Sequence, residues 1–329
     1  RKLVQRYGKL ILRTQVQGRR YVGNHDLVSG TILGCSKPQE ELWVLAHSYE
    51  PGAHDNASGV AICLEIAQLL EGLIKKGDLP RPLRSIRLLN AYECFGFFHY
   101  AENVNRESVP LAGVCIDTVG AKPTVCEGRL SWRATLPMSA GFVDRVGARI
   151  LQATLNHNNP GYHLAQGPFV STSDTLLGDP LYGFPCPWLT THYRKRWRVW
   201  DAYHSSADTL DKLSPHGLAT CTAAMAGYLY YLANADHKEV IQLASSETNL
   251  IFNRLKTTNS KDEATFLCDR HHISLERLRR WLDERTPSNV LLYLNDCERR
   301  IQEIRPKKRK SYKKRTITKI MRIPYRTAF

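Results

Sequence analysis

The sequence predicts an α/β fold: a three-layer αβα arrangement around a mostly parallel (mixed) central sheet, plus a small helical module at the C-terminal end. Three observations predict it. Short apolar runs recur along the first two thirds of the chain, each closed by a polar residue; segments with helical spacing alternate with them; and the strand-like runs stop near residue 236. With 329 residues, 43% of them hydrophobic, the chain has material for a substantial core, which excludes a disordered polymer.

Residues 1–34 read as a β lead-in, because Gly18, Gly23, Gly30 and Gly34 punctuate β-prone runs such as Lys9–Leu12. Glu41–Ala46 is a compact apolar run suited to a sheet buried on both faces, and it ends at His47. After Pro51-Gly52, Asp55–Ser58 supplies capping side chains, and Ile62, Ile66, Leu69, Leu70 and Leu73 follow at helical spacing. The order then repeats. Ser85–Ala91 is strand-like with Glu93 at its end, Phe97–Asn103 is helical, and Ala112–Ile116 is a strand closed by Asp117. Met138–Asn156 reads as a helix, Pro185–Thr191 as a strand and Pro215–Asn234 as an Ala-rich helix. Beyond them, Glu263–Glu284 and Pro287–Ile304 are amphipathic, the latter with Thr286 as cap and Pro287 in its first turn. The expected division is therefore 1–236 as the α/β domain, 237–304 as the helical module and 305–329 as a basic tail.

Charge and cysteine usage narrow the classes further. Of the formal net charge of +15, residues 299–329 carry thirteen Lys/Arg against one Glu, so the rest of the chain is nearly neutral. A neutral domain with a cationic strap predicts nucleic acid or an acidic partner for the tail alone. Nine cysteines are an odd number, scattered through apolar segments, which favours reduced thiols and a cytoplasmic home. No uninterrupted apolar stretch reaches the roughly 18 to 20 residues of a membrane span, so no membrane partner is expected.

The polar residues at the ends of the apolar runs are all metal-ligand types or acids: His47, Asp55, Glu93 with Cys94, Asp117 and His204. Zinc takes imidazole nitrogen, carboxylate oxygen or thiolate in roughly four-coordinate geometry and leaves a position for water, whose pKa it lowers toward about 7. A neighbouring glutamate that binds no metal can take the proton of that water and hand it to a leaving amine. Singly, each of these residues is more often a helix cap or a satisfied hydrogen-bonding group; it is their combination that points to chemistry.

Three segments carry a resemblance: Ala46-His47 through Pro51–Ala61, then Glu93–Gly96, then Tyr203–Thr209. Ile116–Gly120 and Ser173-Asp174 with Gly183-Phe184-Pro185 add to it. Over roughly residues 35–235 the chain resembles the zinc aminopeptidases and related exopeptidases of metallopeptidase family twenty-eight, which includes a glutaminyl cyclase branch. The resemblance implies that His47, Asp55 and Asp117 hold one zinc, that Asp55 bridges to a second zinc on His204, and that Glu93 is the general acid/base. It also implies a cis peptide between Asp55 and Asn56. Asp174 and Asp208 read as residues that orient ligands or cap helices and do not bind metal, with Asn56 beside them. The substrate it implies is a peptide or amino-acid amide, hydrolysed at its N-terminal amide bond by metal-activated water.

Two positions depart from the family pattern. Cys94 stands where the pattern has a second glutamate, a ligand of the second zinc, and Tyr49 stands where it has an acid two residues after the first histidine. Cysteine ligates zinc as thiolate but is shorter than glutamate and prefers about 2.3 Å. His47 then needs another partner to orient its ring, with Glu50 as one candidate. One or two zinc ions, cyclase-type amide chemistry on a single zinc, and a degenerate non-catalytic scaffold acting through the basic C-terminus all stay open at this point.

Other residues read more plainly. His54, next to Asp55 in an extended turn, is expected on the substrate or solvent side. Trp188–Tyr203 concentrates aromatics and arginines before His204. Tyr203, Arg194 and Trp197 are candidate substrate contacts, an arginine for a carboxylate or an aromatic ring for an apolar side chain, although surface packing fits the same segment equally. Ala264–Leu282 has a helix-turn-helix cadence with Arg277, Arg279 and Arg280 outside, although an ordinary helical cap fits the same pattern.

Overall fold

The computed structural model of the chain describes residues 2–9, 11, 13–104, 109–139, 141–170, 184–192 and 202–306. Among them, seven strands form one mixed sheet: β1 (Val28–Ile32), β2 (Lys37–Ser48), β3 (Arg84–Tyr92), β4 (Val109–Ile116), β5 (Arg129–Arg133), β6 (His163–Gly167) and β7 (Trp188–Thr190). Their order is β1-β3-β2-β4-β7-β5-β6, with β3, β2, β4 and β7 parallel, β1 antiparallel to β3, and β5 antiparallel to β7. Helices cover both faces, which gives the three-layer arrangement predicted from the alternation of runs.

Alternation along β2 shows why the sheet is buried on both sides. Leu42, Val44 and Ala46 pack into the larger core with Ile62, Ile66 and Leu70 of α2 (Ala57–Lys76) and with α6 (Pro215–Asn234). Trp43 and Leu45 enter a second cluster with Phe97, Tyr100, Phe184 and Trp188 on the other face. Burying both faces of a strand explains its unbroken apolar run. By length and composition α2 is apolar enough to cross a membrane, but its Ile62, Cys63, Ile66 and Leu70 are already taken up by the core.

Several elements differ from the sequence expectation. Residues 13–27 carry no strand, and β1 pairs with β3 instead of closing a lead-in hairpin; a short helix, α1 (Lys2–Tyr7), precedes it. Three further helices in the first two thirds are α3 (Phe95–His99), α4 (Pro123–Cys126) and α5 (Phe142–Asn158). After residue 236 come α7 (His237–Thr257), α8 (Lys261–Arg279) and α9 (Ser288–Glu303). The helix-turn-helix reading is overturned: α8 is continuous through 264–279, with no turn inside it, and Arg277 is buried instead of facing outward.

The last three helices join the same core as the sheet, through Val240, Leu243, Ala244, Leu275, Leu278, Trp281 and Leu294. Arg84, at the start of β3, fastens them. Its buried guanidinium pairs with Glu40 at 2.6 Å, donates to Trp281 O at 2.8 Å and to Ala235 O, and lies over the Trp281 ring. The basic tail falls outside the described residues from 307 onward.

Candidate metal centre

The cavity lies at the C-terminal ends of the parallel strands, where the chain leaves β2 for a strand on one side and β4 returns on the other, the usual place for a ligand in an open α/β sheet. His47 is the penultimate residue of β2, Glu93 follows β3, and Asp117 follows β4. With Glu50, Asp55, Tyr203 and His204 they line a cavity of about 430 Å³. Thr118, Arg129, Arg133, Val170, Trp188 and His192 complete its wall.

Asp55 is placed by its backbone. Its N–H and that of His54 donate to the two oxygens of Asp208, both at 2.9 Å. The Asp55–Asn56 peptide is cis. Asn56 then caps α2: its Oδ1 accepts from Gly59 N at 3.0 Å and from Thr118 N at 3.1 Å, and its Nδ2 donates to Ile116 O at 3.2 Å. The side chain of Asn56 thus locks the Asp55 turn to the end of β4. The two glycines of the segment are steric requirements. A Cβ at Gly52 would lie 2.2 Å from Asp208 Oδ2, and one at Gly59 would lie 2.3 Å from Ile116 O.

Backbone strain gathers around the cavity. Tyr49, Cys94, Thr118 and His204 have φ of 72°, 62°, 51° and 51°, a left-handed region that side chains other than glycine rarely adopt. Each is next to a cavity residue or is one itself. Such outliers persist where the surroundings hold them, and they cluster at functional sites. Tyr49 shows the effect: its hydroxyl turns away to donate to Asp26 O at 3.0 Å, while the next residue, Glu50, points into the cavity.

Asp55 faces two imidazoles with its two oxygens. Oδ1 lies 3.5 Å from His47 Nε2, which is also 3.3 Å from Asp117 Oδ1. Oδ2 lies 3.2 Å from His204 Nε2, which is 3.4 Å from Glu50 Oε2. Two donor groups on a tetrahedral zinc, each about 2.0 to 2.1 Å from the ion, stand about 3.3 to 3.4 Å apart. The spacing of the donors, and their chemistry of imidazole and carboxylate, therefore fit zinc at two adjoining positions that share Asp55. One atom from each of His47, Glu50 and Asp55 also falls within 4.8 Å of the others.

The electrostatics agree with that fit. Burial, then the neighbouring carboxylates of Asp117 and Glu50, push the Asp55 carboxyl up to about 8, with His47 opposing. Burial and the charges of Asp55, Asp117, Glu50 and Glu93 push the Tyr203 hydroxyl up to about 12, so it keeps its proton. Tyr203 stacks on His204, with centroids 3.8 Å apart, and fixes that half-exposed ring.

Of the residues singled out from sequence, His47, Asp55, Glu93, Asp117, Tyr203 and His204 meet at this cavity, with Asn56 and Asp208 behind it. Cys94 does not line it: it precedes α3, and the corner beside His204 is occupied by Glu50. His54 departs from its expected substrate or solvent side. It is buried, its Nε2 lies 2.8 Å from Thr191 Oγ1, and burial lowers its pKa to about 4. Asp174, Arg194 and Trp197 lie outside the described residues. Glu50, expected from the sequence as a candidate partner of His47, lies instead 3.4 Å from His204 Nε2. Arg129 and Arg133 were missed in the sequence, because β5 is too short to stand out.

The pattern of peptidase family M28 matches residues 28–91, the stretch from β1 to the end of β3 that carries His47 and Asp55. No curated protein matches the chain. Similar solved structures include a zinc aminopeptidase from Bacillus subtilis, with 18% identity, 63% of this chain and 50% of that chain covered, and a TM-score of 0.48. An aminopeptidase from Aneurinibacillus sp. strain AM-1 has 22% identity over 63% of this chain and 47% of that one, with a TM-score of 0.47. Glutaminyl cyclase from Porphyromonas gingivalis has 18% identity over 62% and 75%, with a TM-score of 0.47. The chain spans about half the length of the two aminopeptidases.

Proposed function

We propose that this chain, which carries the pattern of peptidase family M28 over residues 28–91, is a zinc-dependent exopeptidase of the aminopeptidase type that hydrolyses the N-terminal amide bond of short peptides. One observation above the others supports the reading: Asp55 turns one oxygen toward His47 and the other toward His204, and each imidazole has a second carboxylate, Asp117 or Glu50, at 3.3 or 3.4 Å.

In this reading His47, Asp117 and Asp55 hold one zinc, and His204, Glu50 and Asp55 hold the other. When bound, zinc supplies Lewis acidity, polarising the scissile carbonyl and lowering the pKa of a water toward about 7. The remaining chemistry belongs to the chain. Glu93, at the end of β3 and lining the cavity, accepts the proton of the attacking water on its carboxylate and delivers it to the leaving amine. Tyr203, which keeps its hydroxyl proton, can donate a hydrogen bond to the oxygen on which charge develops. Asp208 and Asn56 touch no substrate. They hold the turn that aims Asp55.

The test is Glu93→Gln, assayed on amino-acid amides with zinc content measured in parallel. The expected result is a fall in kcat of about a thousandfold with unchanged zinc per chain. Turnover within a factor of a few of the parent would overturn the role of Glu93.

A further inference from the structure

The cavity that gathers the carboxylates also has a cationic side. Arg129 and Arg133 stand four residues apart on β5, so they project from the same face of the strand, and both line the cavity together with Trp188 and Val170. In register Arg133 lies opposite Trp188 of β7 and Gly167 of β6. The glycine makes room for it: a Cβ at 167 would lie 2.1 Å from Arg133 Nη1. Arg133 is only partly exposed, whereas Arg129 is open to solvent.

Among the described residues neither guanidinium pairs with an acid. Four carboxylates line the same cavity, yet among the described residues none comes within 4.0 Å of Arg129 or Arg133. Burial, and then the charge of Arg129, hold the Arg133 guanidinium below its ordinary pKa. A partly buried guanidinium held beside a second, exposed one costs free energy that a bound anion would return. With divalent cations on the carboxylates, these two positive charges remain for a ligand.

We propose that Arg129 and Arg133 form an anion subsite of this cavity that takes a carboxylate of the substrate, supplied by an acidic side chain beside the cleaved bond or by the free C-terminus of a short peptide. The proposal rests on the peptidase reading and deepens it by naming the substrate class. Guanidinium suits this task because its planar fork can grip both oxygens of a carboxylate, while Trp188 and Val170 offer apolar surface to the carbon chain between the charge and the bond.

Three matched peptides test it on the zinc-loaded chain: Ala-Gly, Ala-Gly-amide and Ala-Asp-amide. The expected result is that at least one carboxylate-bearing peptide is preferred over Ala-Gly-amide, and that Arg133→Gln or Arg129→Gln lowers kcat/KM for it by about 10- to 100-fold while leaving Ala-Gly-amide unchanged. Preference for Ala-Gly identifies the C-terminus, and preference for Ala-Asp-amide identifies the side chain. Equal rates on all three, or equal losses on all three in both variants, overturn the subsite. Because Arg129 is exposed, its variant carries the test if Arg133→Gln does not fold. Calorimetry with N-acetylaspartate and the neutral N-acetylasparagine amide separates this proposal from the peptidase reading. If no peptide is cleaved but only the aspartate derivative binds, and Arg129→Gln weakens it about tenfold or more, the subsite stands and the hydrolase falls. If neither derivative binds and no carboxylate peptide is preferred, the subsite falls.

Discussion

Two places in this molecule bury carboxylates, and they balance them in different ways. Between α5, α7 and α8, Asp144 and Glu247 share one guanidinium: Arg270 Nη2 lies 3.8 Å from Asp144 Oδ2, and its Nε lies 4.0 Å from Glu247 Oε1. At the strand ends, Asp55, Asp117 and Glu50 have only the imidazoles of His47 and His204 beside them, and among the described residues no lysine or arginine comes within 4.0 Å. Burial raises the pKa of the acids in both places, Asp144 to about 6 and Asp55 to about 8. In the helical interface the Thr135 N–H and then Arg270 oppose the shift of Asp144, ahead of a smaller push from Glu247, whereas in the cavity the pushes from Asp117 and Glu50 each come ahead of the opposition of His47. The chain carries its own permanent cation in one cluster and leaves the other to be completed from outside.

The largest expected effect breaks the helical cluster. Arg270→Leu leaves buried Asp144 without its opposing arginine and Glu247, neither of whose oxygens is hydrogen-bonded, with only the weaker opposition of Arg145 and Arg254; it is expected to cost about 3 kcal/mol in denaturant unfolding, with no rescue by zinc. A loss below 1 kcal/mol would mean that Arg270 does not compensate them.

Asp55→Asn sharpens the contrast because its effect has the opposite sign. Removing one of the crowded acids is expected to leave the metal-free protein as stable as before or about 1 kcal/mol more stable. The stabilisation by zinc, about 2.7 kcal/mol at a hundredfold excess over Kd, should then disappear from thermal unfolding. A variant that is less stable without metal and still stabilised by zinc contradicts the bridging position.

The smallest effect concerns pH. His271 of α8 is buried, with Nε2 2.9 Å from Thr248 Oγ1 on α7; burial lowers its pKa to about 4, against the opposing charge of Glu298 and helped by His272 and Arg279. The unfolded chain takes up this proton near pH 6.5 and the folded chain only near 4, so this contribution to stability is intact above 6.5 and declines as pH falls toward 4. Asp144 acts in the reverse direction, since its folded pKa is raised. The quantity to measure is therefore the difference between parent and His271→Gln, expected to shrink the decline by about 2 kcal/mol between pH 7 and 5. Parallel profiles would place His271 outside the titration.

Sequence made the parallel half of the sheet legible, because doubly buried strands such as Leu42–Ala46 leave an unbroken apolar run and Pro215 marks the first turn of α6. It also made legible that His47, Glu93 and Asp117 stand at strand ends. β5 and β6 were not, since Arg129–Arg133 and His163–Gly167 are short, with polar ends, and are strands only by virtue of their pairing. α7 was hidden by the polar residues between Leu243 and Ile251, among them the buried Glu247 and Thr248. The direction of Glu50 was hidden for another reason: it depends on the left-handed backbone of Tyr49, and no local propensity announces it.

Arg84 gives the molecule an order of assembly. The guanidinium at the foot of the third strand finds its last acceptor at Trp281, 197 residues downstream. During synthesis Glu40 is available to Arg84 from the start, whereas the Trp281 carbonyl is available only after residue 281 has been made. Any shortened gene that stops before this tryptophan leaves a cation facing the interior without its second carbonyl.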